Sequence, residues 1–115
     1  DANIVKAQIL KVDGINADLD IGGIRANLPH LGLVSGEVSV AIRPQSICLS
    51  QSENENSIPG TILKSIYLGG HIEYTVDCIL GELFVIDNQM ESKQNLDAAV
   101  SITLRTRGVS LIPES

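Results

Sequence analysis

The chain has 115 residues, 43% of them apolar, and a formal net charge of −6. This length accommodates one compact domain or two very small ones. The acidic surplus and the lack of a basic cluster argue against nucleic-acid binding and against electrostatic docking to an anionic membrane, because both need cationic side chains. With no tryptophan, one phenylalanine and two tyrosines, the core must be built from aliphatic residues.

The first half of the chain alternates aliphatic and polar residues, a pattern that predicts β-strands. Asp13-Gly14 and Gly22-Gly23 predict tight turns, and a loop is expected between Leu28-Pro29 and Gly36. Pro44, directly after Arg43, predicts the end of a strand or a sheet edge. The predicted strands lie near residues 4–12, 15–20, 23–28, 37–43 and 46–49.

The second half repeats this organisation after a polar segment. Residues 50–57 contain no apolar residue and are rich in Ser, Asn and Glu, which predicts an exposed linker. Residues 88–97 predict a loop with room for one helical turn, and no helix of ordinary length is expected anywhere. The predicted strands of this half lie near residues 60–67, 71–79, 82–87, 98–105 and 109–112.

The two halves are versions of one sequence. Residues 38–49 and 100–111 share one template. It reads Val-Ser, a β-branched residue, a small residue, an aliphatic residue and Arg, then three variable residues, an aliphatic residue, one variable residue and Leu. Ile9-Leu10-Lys11 recurs as Ile62-Leu63-Lys64. Internal repetition sets the architecture of a fold, and five short strands per copy is the strand count of an oligonucleotide/oligosaccharide-binding (OB) barrel.

We therefore predict an all-β fold of tandem OB-like small barrels, two five-stranded repeats packed together with little helix. The expected division is a first repeat at 1–49, a linker at 50–57 and a second repeat at 58–115.

The cysteines and the hydropathy pattern indicate a cellular compartment. Cys48 and Cys78 lie in apolar, strand-like runs, so we expect small buried side chains in a reducing environment and no disulfide. No stretch approaches the roughly 20 apolar residues of a membrane span, and no signal peptide is evident. The chain opens on a strand without an initiator methionine, so we expect it to be a piece of a longer protein.

No catalytic or metal-binding constellation is predicted. The chain has neither a phosphate-binding Gly-x-x-x-x-Gly-Lys-Ser/Thr motif nor a Gly-x-Ser-x-Gly nucleophile elbow. His71 with Glu73 would share a strand face as half a metal site, and Asp18 with Asp20 would share one as paired carboxylates. In both cases a solvated strand face is the simpler interpretation.

Arg43 and Arg105 occupy equivalent places in the two copies. Their guanidinium groups could hold a carboxylate or an oxyanion through two parallel hydrogen bonds. The simpler interpretation is structural, with each arginine capping a strand end and pairing with an acidic neighbour.

Several short motifs follow one another in a characteristic order: Ala41-Ile42-Arg43-Pro44-Gln45, Gly60-x-Ile62, Tyr67-Leu68-Gly69 and Glu73-Tyr74-x-Val76. Together they resemble the C-terminal transport-associated OB (TOBE) domain of ABC-importer ATPases. The opening Ala2-Asn3-Ile4-Val5 is similar to the segment that leads into this barrel, whereas Gln45 stands where the family commonly has an acidic residue. The motifs and the repeat mark these interaction candidates: Arg43, Pro44, Tyr67, Gly69 and Arg105.

The resemblance implies that the full protein is the ATP-binding subunit of a solute importer, with its ATPase domain upstream of Asp1. This piece would be its regulatory and dimerisation domain, without catalytic residues, cofactor or metal of its own, since ATP and Mg²⁺ would bind upstream. The implied partners are a second subunit, forming a homodimer, and the membrane permease subunits. The domain would then lie in the cytoplasm, peripheral to the inner face of the cell membrane and not inserted into it. The motifs are most similar to those of the polyamine and ferric-iron branches, and sugar importers share the same frame.

Two other functions share the predicted fold. A tandem-barrel sensor of the molybdate type would bind a small oxyanion, but the net charge and the lack of a Ser/Thr-rich segment with a nearby Arg at the start argue against it. An oligonucleotide-binding barrel would stack bases on aromatic residues in a basic groove. Three aromatic residues and an acidic surplus make this the weakest alternative.

Overall fold

The computed structural model describes residues 2–89 and 93–113. Almost all regular structure in these ranges is β-strand, and the one helical segment is a short 3₁₀ turn at Pro44–Ser46. The all-β prediction is therefore confirmed. The strands are β1 (Asn3–Asp13), β2 (Asn16–Ile21), β3 (Ile24–Pro29), β4 (Glu37–Ile42), β5 (Ile47–Ser50), β6 (Ile58–Tyr67), β7 (Ile72–Cys78), β8 (Gly81–Asp87), β9 (Ala99–Leu104) and β10 (Val109–Ile112).

The strands form two curled, five-stranded antiparallel sheets. Barrel A has the strand order β10-β4-β1-β2-β3, and barrel B has the order β5-β9-β6-β7-β8. In each sheet the two outermost strands approach each other without a hydrogen-bonded ladder, so each sheet curls into a small, partly open barrel. The predicted tandem of OB-like barrels is confirmed.

Each barrel takes one outer strand from the other half of the chain. β5 follows β4 in sequence but pairs with β9, and β10 follows β9 but pairs with β4. The registers are equivalent, because Ile47 lies opposite Leu104 just as Val109 lies opposite Ile42. The division into 1–49, 50–57 and 58–115 stays a prediction about domain boundaries. The strand pairing places β5, the last strand of the first half, in barrel B and β10, the last strand of the second half, in barrel A.

The repeated Ile-Leu-Lys tripeptide forms a β-bulge in each barrel. The pairing of β1 with β2 shifts between Ile9 and Lys11, and the pairing of β6 with β7 shifts between Ile62 and Lys64. A bulge adds one residue to one strand and increases its bend and twist. The tripeptide recurs because both sheets must curl at the same place.

The core is aliphatic, as composition required. Val40 and Ile42 in barrel A, and Ile62 and Ile102 in barrel B, are fully shielded from solvent. Tyr74 is the buried aromatic of the described residues, and its hydroxyl accepts a hydrogen bond of 3.0 Å from the backbone N–H of Gln94. This bond attaches the β8–β9 loop to barrel B. It also gives the buried hydroxyl a hydrogen-bond partner, which a buried polar group requires.

The loops agree with the sequence where they are described. β5 extends to Ser50 and β6 begins at Ile58, so the linker lies between them. In the predicted loop at 88–97, residues 93–97 are irregular or in a turn, and residues 90–92 lie outside the described residues. None of the described segments forms a helix with the length and apolarity that a membrane crossing requires.

Candidate functional site

The two connections that exchange the outer strands meet side by side. We call residues 43–46 and 105–108, which link β4 to β5 and β9 to β10, the crossing. The backbone N–H of Arg43 donates to the carbonyl oxygen of Gly108 at 2.9 Å, and that of Arg105 donates to the carbonyl oxygen of Ser46 at 2.8 Å. Because the repeat makes Arg43 equivalent to Arg105 and Ser46 to Gly108, these two bonds are related by an approximate two-fold axis.

Pro44 and Ser46 hold the crossing together. Pro44 is buried at the start of the 3₁₀ turn, where its fixed φ suits the first position of a helical segment. The turn closes with the Ser46 N–H donating to the Arg43 carbonyl at 2.9 Å. The Ser46 hydroxyl donates to the Arg107 carbonyl oxygen at 2.5 Å, so one connection is bonded directly to the other.

Two asparagine side chains bind the exposed edges of the sheets. The Asn3 amide donates to the Phe84 carbonyl at 2.9 Å and accepts from the Phe84 N–H at 2.8 Å, which joins the start of β1 in barrel A to β8 of barrel B. The Asn56 amide binds both backbone groups of Arg25 on β3 in the same way, at 2.6 and 2.8 Å. We call these contacts the asparagine clamps.

Neither clamp was predicted from the sequence. A signal was present, because each asparagine marks the beginning of its copy: Asn3 is the first residue of β1, and Asn56 lies two residues before β6. Each side-chain amide pairs with an edge residue as a neighbouring strand would, which protects an edge that could otherwise pair with another chain.

The predicted interaction residues fall into two groups. Arg43, Pro44 and Arg105 lie together at the crossing. Tyr67 and Gly69 lie at the β6–β7 turn, at the opposite end of β6, where Tyr67 is 59% exposed and Gly69 has a left-handed φ of 74°. The structure therefore brings three of the five residues together and separates the other two.

The two arginines at the crossing use their backbone and side chains differently. Their backbone amides make the hydrogen bonds that join the connections, in keeping with a structural role at a strand end. Their side chains are exposed, and in the described part of the chain neither forms an ion pair. Lys6 pairs with Glu37 there, and His71 contacts Glu73. The acidic neighbour expected for each arginine is therefore not found among these residues.

Three neighbouring concavities of about 350, 450 and 360 Å³ lie at the crossing, and we call them together the groove. The first lies between β5 and β8 and shares Gln45 and Ile86 with the second. The second shares Ala2 and Arg43 with the third. Arg105 lines the first concavity, Arg43 the second and third, and Arg107 the third, so three arginines line this groove.

The other sequence candidates have local structural roles. Asp18 accepts a hydrogen bond from the Asn27 amide and Asp20 from the Gly23 N–H, both at 2.7 Å, so this carboxylate pair is occupied on its own hairpin. His71 Nε2 lies 3.2 Å from a Glu73 carboxylate oxygen on the same strand face. Across residues 2–89 and 93–113, no cluster of three or more His, Cys, Asp or Glu could hold a metal ion.

Both cysteines are free and half-buried. Cys48 lines the first concavity of the groove. Cys78 ends β7, and its thiol lies 3.4 Å from the Gly81 carbonyl oxygen. Burial raises the pKa of the Cys78 thiol because the thiolate loses hydration there.

Comparison with known proteins identifies similar sequences and a similar fold. The family model described as the TOBE domain matches residues 40–112. The Fe(3+) ions import ATP-binding protein FbpC of Rhizobium etli is 32% identical over 112 residues, and FbpC 1 of Rhizobium meliloti is 33% identical over 112 residues. Each match covers 97% of this chain and 31% of the relative, so the chain spans about a third of the relatives' length.

A solved structure of the cytoplasmic molybdate-binding protein ModG, with molybdate bound, has a TM-score of 0.74 and 20% sequence identity. The match covers 95% of this chain and 94% of that one. At this identity the likeness is one of fold, and it agrees with the two barrels described above.

Proposed function

This chain belongs to the TOBE domain family, and from that premise we propose that it is the regulatory and dimerisation domain of the ATP-binding subunit of an ABC importer. The observation that carries the proposal is the similarity to import ATP-binding proteins. It extends over 97% of this chain and covers 31% of the length of the relative. The longer protein would work at the cytoplasmic face of the membrane, with permease subunits and a second copy of itself as partners.

The proposed mechanism is mechanical. ATP and Mg²⁺ would bind to the rest of the longer protein. The exchanged strands and the asparagine clamps tie the two barrels to each other. A barrel pair joined in this way would move as one body, and in the proposed mechanism two such bodies hold the ATPase subunits together while their nucleotide-binding parts open and close.

The relatives' names also suggest the transported solute. The matched relatives carry the name Fe(3+) ions import ATP-binding protein, so we propose ferric iron as the cargo of the longer protein. The test is uptake of radiolabelled Fe³⁺ by cells that carry or lack its gene. Unchanged iron uptake together with lost polyamine or sugar uptake would reject the cargo and keep the importer class.

Dimerisation is tested on the full-length protein. Sedimentation velocity in the presence of ATP would compare it with a variant that lacks the residues numbered 1–115 here. We expect the intact protein to dimerise at concentrations where the truncated one is monomeric. Equal dimerisation of the two proteins would remove this part of the proposal. The ATPase rate of each, measured alone and with the permease subunits, tests the regulatory part.

The molybdate-type sensor has weaker support. Its basis is a structural match at 20% identity, and one fold hosts many unrelated functions. The sequence relatives favour the importer subunit. Isothermal calorimetry with molybdate, tungstate and sulfate distinguishes the two proposals, because a sensor would bind one of these oxyanions with measurable heat.

A further inference from the structure

We propose that the gap between β5 and β8 of barrel B is a docking groove for an extended acidic segment of a partner protein. The segment would add as a strand beside β8, and its carboxylates would pair with Arg105 and Arg43. This inference rests on the groove and does not depend on the longer protein being an importer subunit.

The gap is a larger opening than its counterpart in barrel A. β5 and β8 are the two outer strands of barrel B and share no ladder. The concavity between them has a volume of about 350 Å³, whereas the one between β3 and β10 of barrel A has about 130 Å³. The repeat makes the two places equivalent in topology, so the difference in size is specific to barrel B.

The outer edge of β8 offers backbone hydrogen bonds. Phe84 turns its N–H and C=O outward, where both bind the Asn3 clamp. Outward-facing residues alternate along an antiparallel strand, so Ile86 turns its N–H and C=O to the same side, into the gap. In the described part of the chain, no strand pairs with this side of β8. Asn3 already holds the Phe84 groups, so an added strand would bind beside Ile86 by β-augmentation and end where the clamp begins.

The corresponding edge in barrel A is poorly suited to this mode. Asn56 occupies both backbone groups of Arg25, as Asn3 occupies those of Phe84 in barrel B, so the clamps do not distinguish the two edges. β3 then ends at Pro29, which has no N–H to donate. The smaller concavity and the proline together favour barrel B as the docking place.

The charge of the groove selects an acidic partner. Arg105, Arg43 and Arg107 line its three concavities, and Asp87 is the one carboxylate among the described lining residues. Asp87 already accepts a hydrogen bond from the Gln89 N–H. Guanidinium groups bind carboxylates bidentately, and in a chain of net charge −6 such a group of cations stands out.

Apolar side chains complete the docking surface. Phe84 is 37% exposed at the second concavity, and Ile86 is half-buried between the first and second. A partner strand that alternates carboxylates with aliphatic residues presents the two sets on opposite faces. The carboxylates would face the arginines, flanked by Phe84 and Ile86, which share the second concavity with Arg43. The aliphatic set would face the apolar lining of the first concavity, Ile47, Leu49 and Val85.

The test uses two fluorescein-labelled ten-residue peptides, one alternating Val with Glu and one alternating Val with Lys. Fluorescence anisotropy at low salt (~20 mM, where screening is weak) should show saturable binding of the Glu peptide and none of the Lys peptide. Arg105→Gln and Arg43→Gln should each weaken binding about tenfold, since each loses a charge-assisted pair. Lys64→Gln removes one positive charge from β6, outside the groove, and should leave the affinity for the Glu peptide unchanged. Urea unfolding curves establish that every variant is folded.

Two further measurements test the binding mode. N-methylation of alternate peptide nitrogens should abolish binding, because it removes the main-chain donors. Amide hydrogen exchange of Ile86 should slow when the Glu peptide is bound.

Four results would overturn the proposal. They are binding of the Lys peptide, an equal loss in Lys64→Gln, displacement of the Glu peptide by inorganic phosphate at matched ionic strength, and concentration-dependent protection of Ile86 without peptide. The third would indicate a small-anion pocket and the fourth a second copy of the chain in the groove.

Discussion

The backbone N–H of Arg43 donates a hydrogen bond to the carbonyl oxygen of Gly108, 2.9 Å away and on the opposite connection between the barrels. The same contact occurs once more, from Arg105 to Ser46. These bonds lie where the chain passes from one sheet into the other, so the packing of the crossing determines whether both outer strands reach their places.

Substituting Gly108 by alanine should destabilise the chain by about 2–4 kcal/mol. Gly108 has a φ of 90°, and a Cβ there would collide with the Ser46 hydroxyl and lie 3.2 Å from Cδ of Arg43. Urea denaturation measures the loss. Gly14→Ala is the matched control, because Gly14 has a φ of 62° with nothing within 4 Å of the added Cβ. It should lose only about 1 kcal/mol, and equal losses in the two variants would contradict a packed crossing.

Replacing Asn3 by alanine should cost about 1–3 kcal/mol, because the two backbone groups of Phe84 lose their partner. Hydrogen exchange of the Phe84 amide, which donates to Asn3, should accelerate more than that of Val85. Asn54→Ala in the exposed linker is the control and should change neither quantity. Unchanged exchange at Phe84 in Asn3→Ala would show that the clamp does not form in solution.

Leu19→Ala should lower the stability of both barrels together. Leu19 is fully buried in barrel A, and its truncation should cost about 2–5 kcal/mol. Because β5 and β10 are exchanged, neither barrel keeps its five strands when the other unfolds. We expect one urea transition at a lower midpoint, with exchange accelerated at buried amides of barrel B such as Val76. A second transition, or unchanged protection in barrel B, would indicate independent barrels.

The Cys78 thiol should make stability depend on alkaline pH. Burial raises its folded pKa above the ordinary value of a cysteine thiol. The thiol therefore contributes stability that is fully present below its unfolded pKa and is lost as the pH rises through the folded pKa, since the unfolded chain releases the proton first. Urea midpoints from pH 8 to 10 should fall more steeply for the wild type than for Cys78→Ala. Parallel curves would contradict this coupling.

The strands and the duplication were predictable because they rest on local signals. Alternating hydropathy located the ten strands of the described residues, and Asp13-Gly14 and Gly22-Gly23 located turns. The recurrence of Ile9-Leu10-Lys11 revealed two copies but not its cause, the β-bulge. A bulge depends on the partner strand, which a single segment does not specify.

The site was predicted only in part. Arg43 and Arg105 could be singled out because they recur, yet their contact with each other's connection depends on the strand exchange. Tyr67 and Gly69 were grouped with them in the sequence, and the structure places them at the other end of β6. The asparagine clamps join Asn3 to Phe84 and Asn56 to Arg25, residues that only the assembled barrels bring together.

The amino-acid pattern was enough to predict an all-β tandem with an aliphatic core and an acidic surplus, because hydropathy period, turn residues and composition are readable over a few neighbouring residues. The exchange of β5 and β10, the two asparagine clamps and the three arginines along one groove became visible in the folded chain. These features depend on hydrogen bonds and packing between residues far apart in sequence, and the competing pairings have the same local pattern.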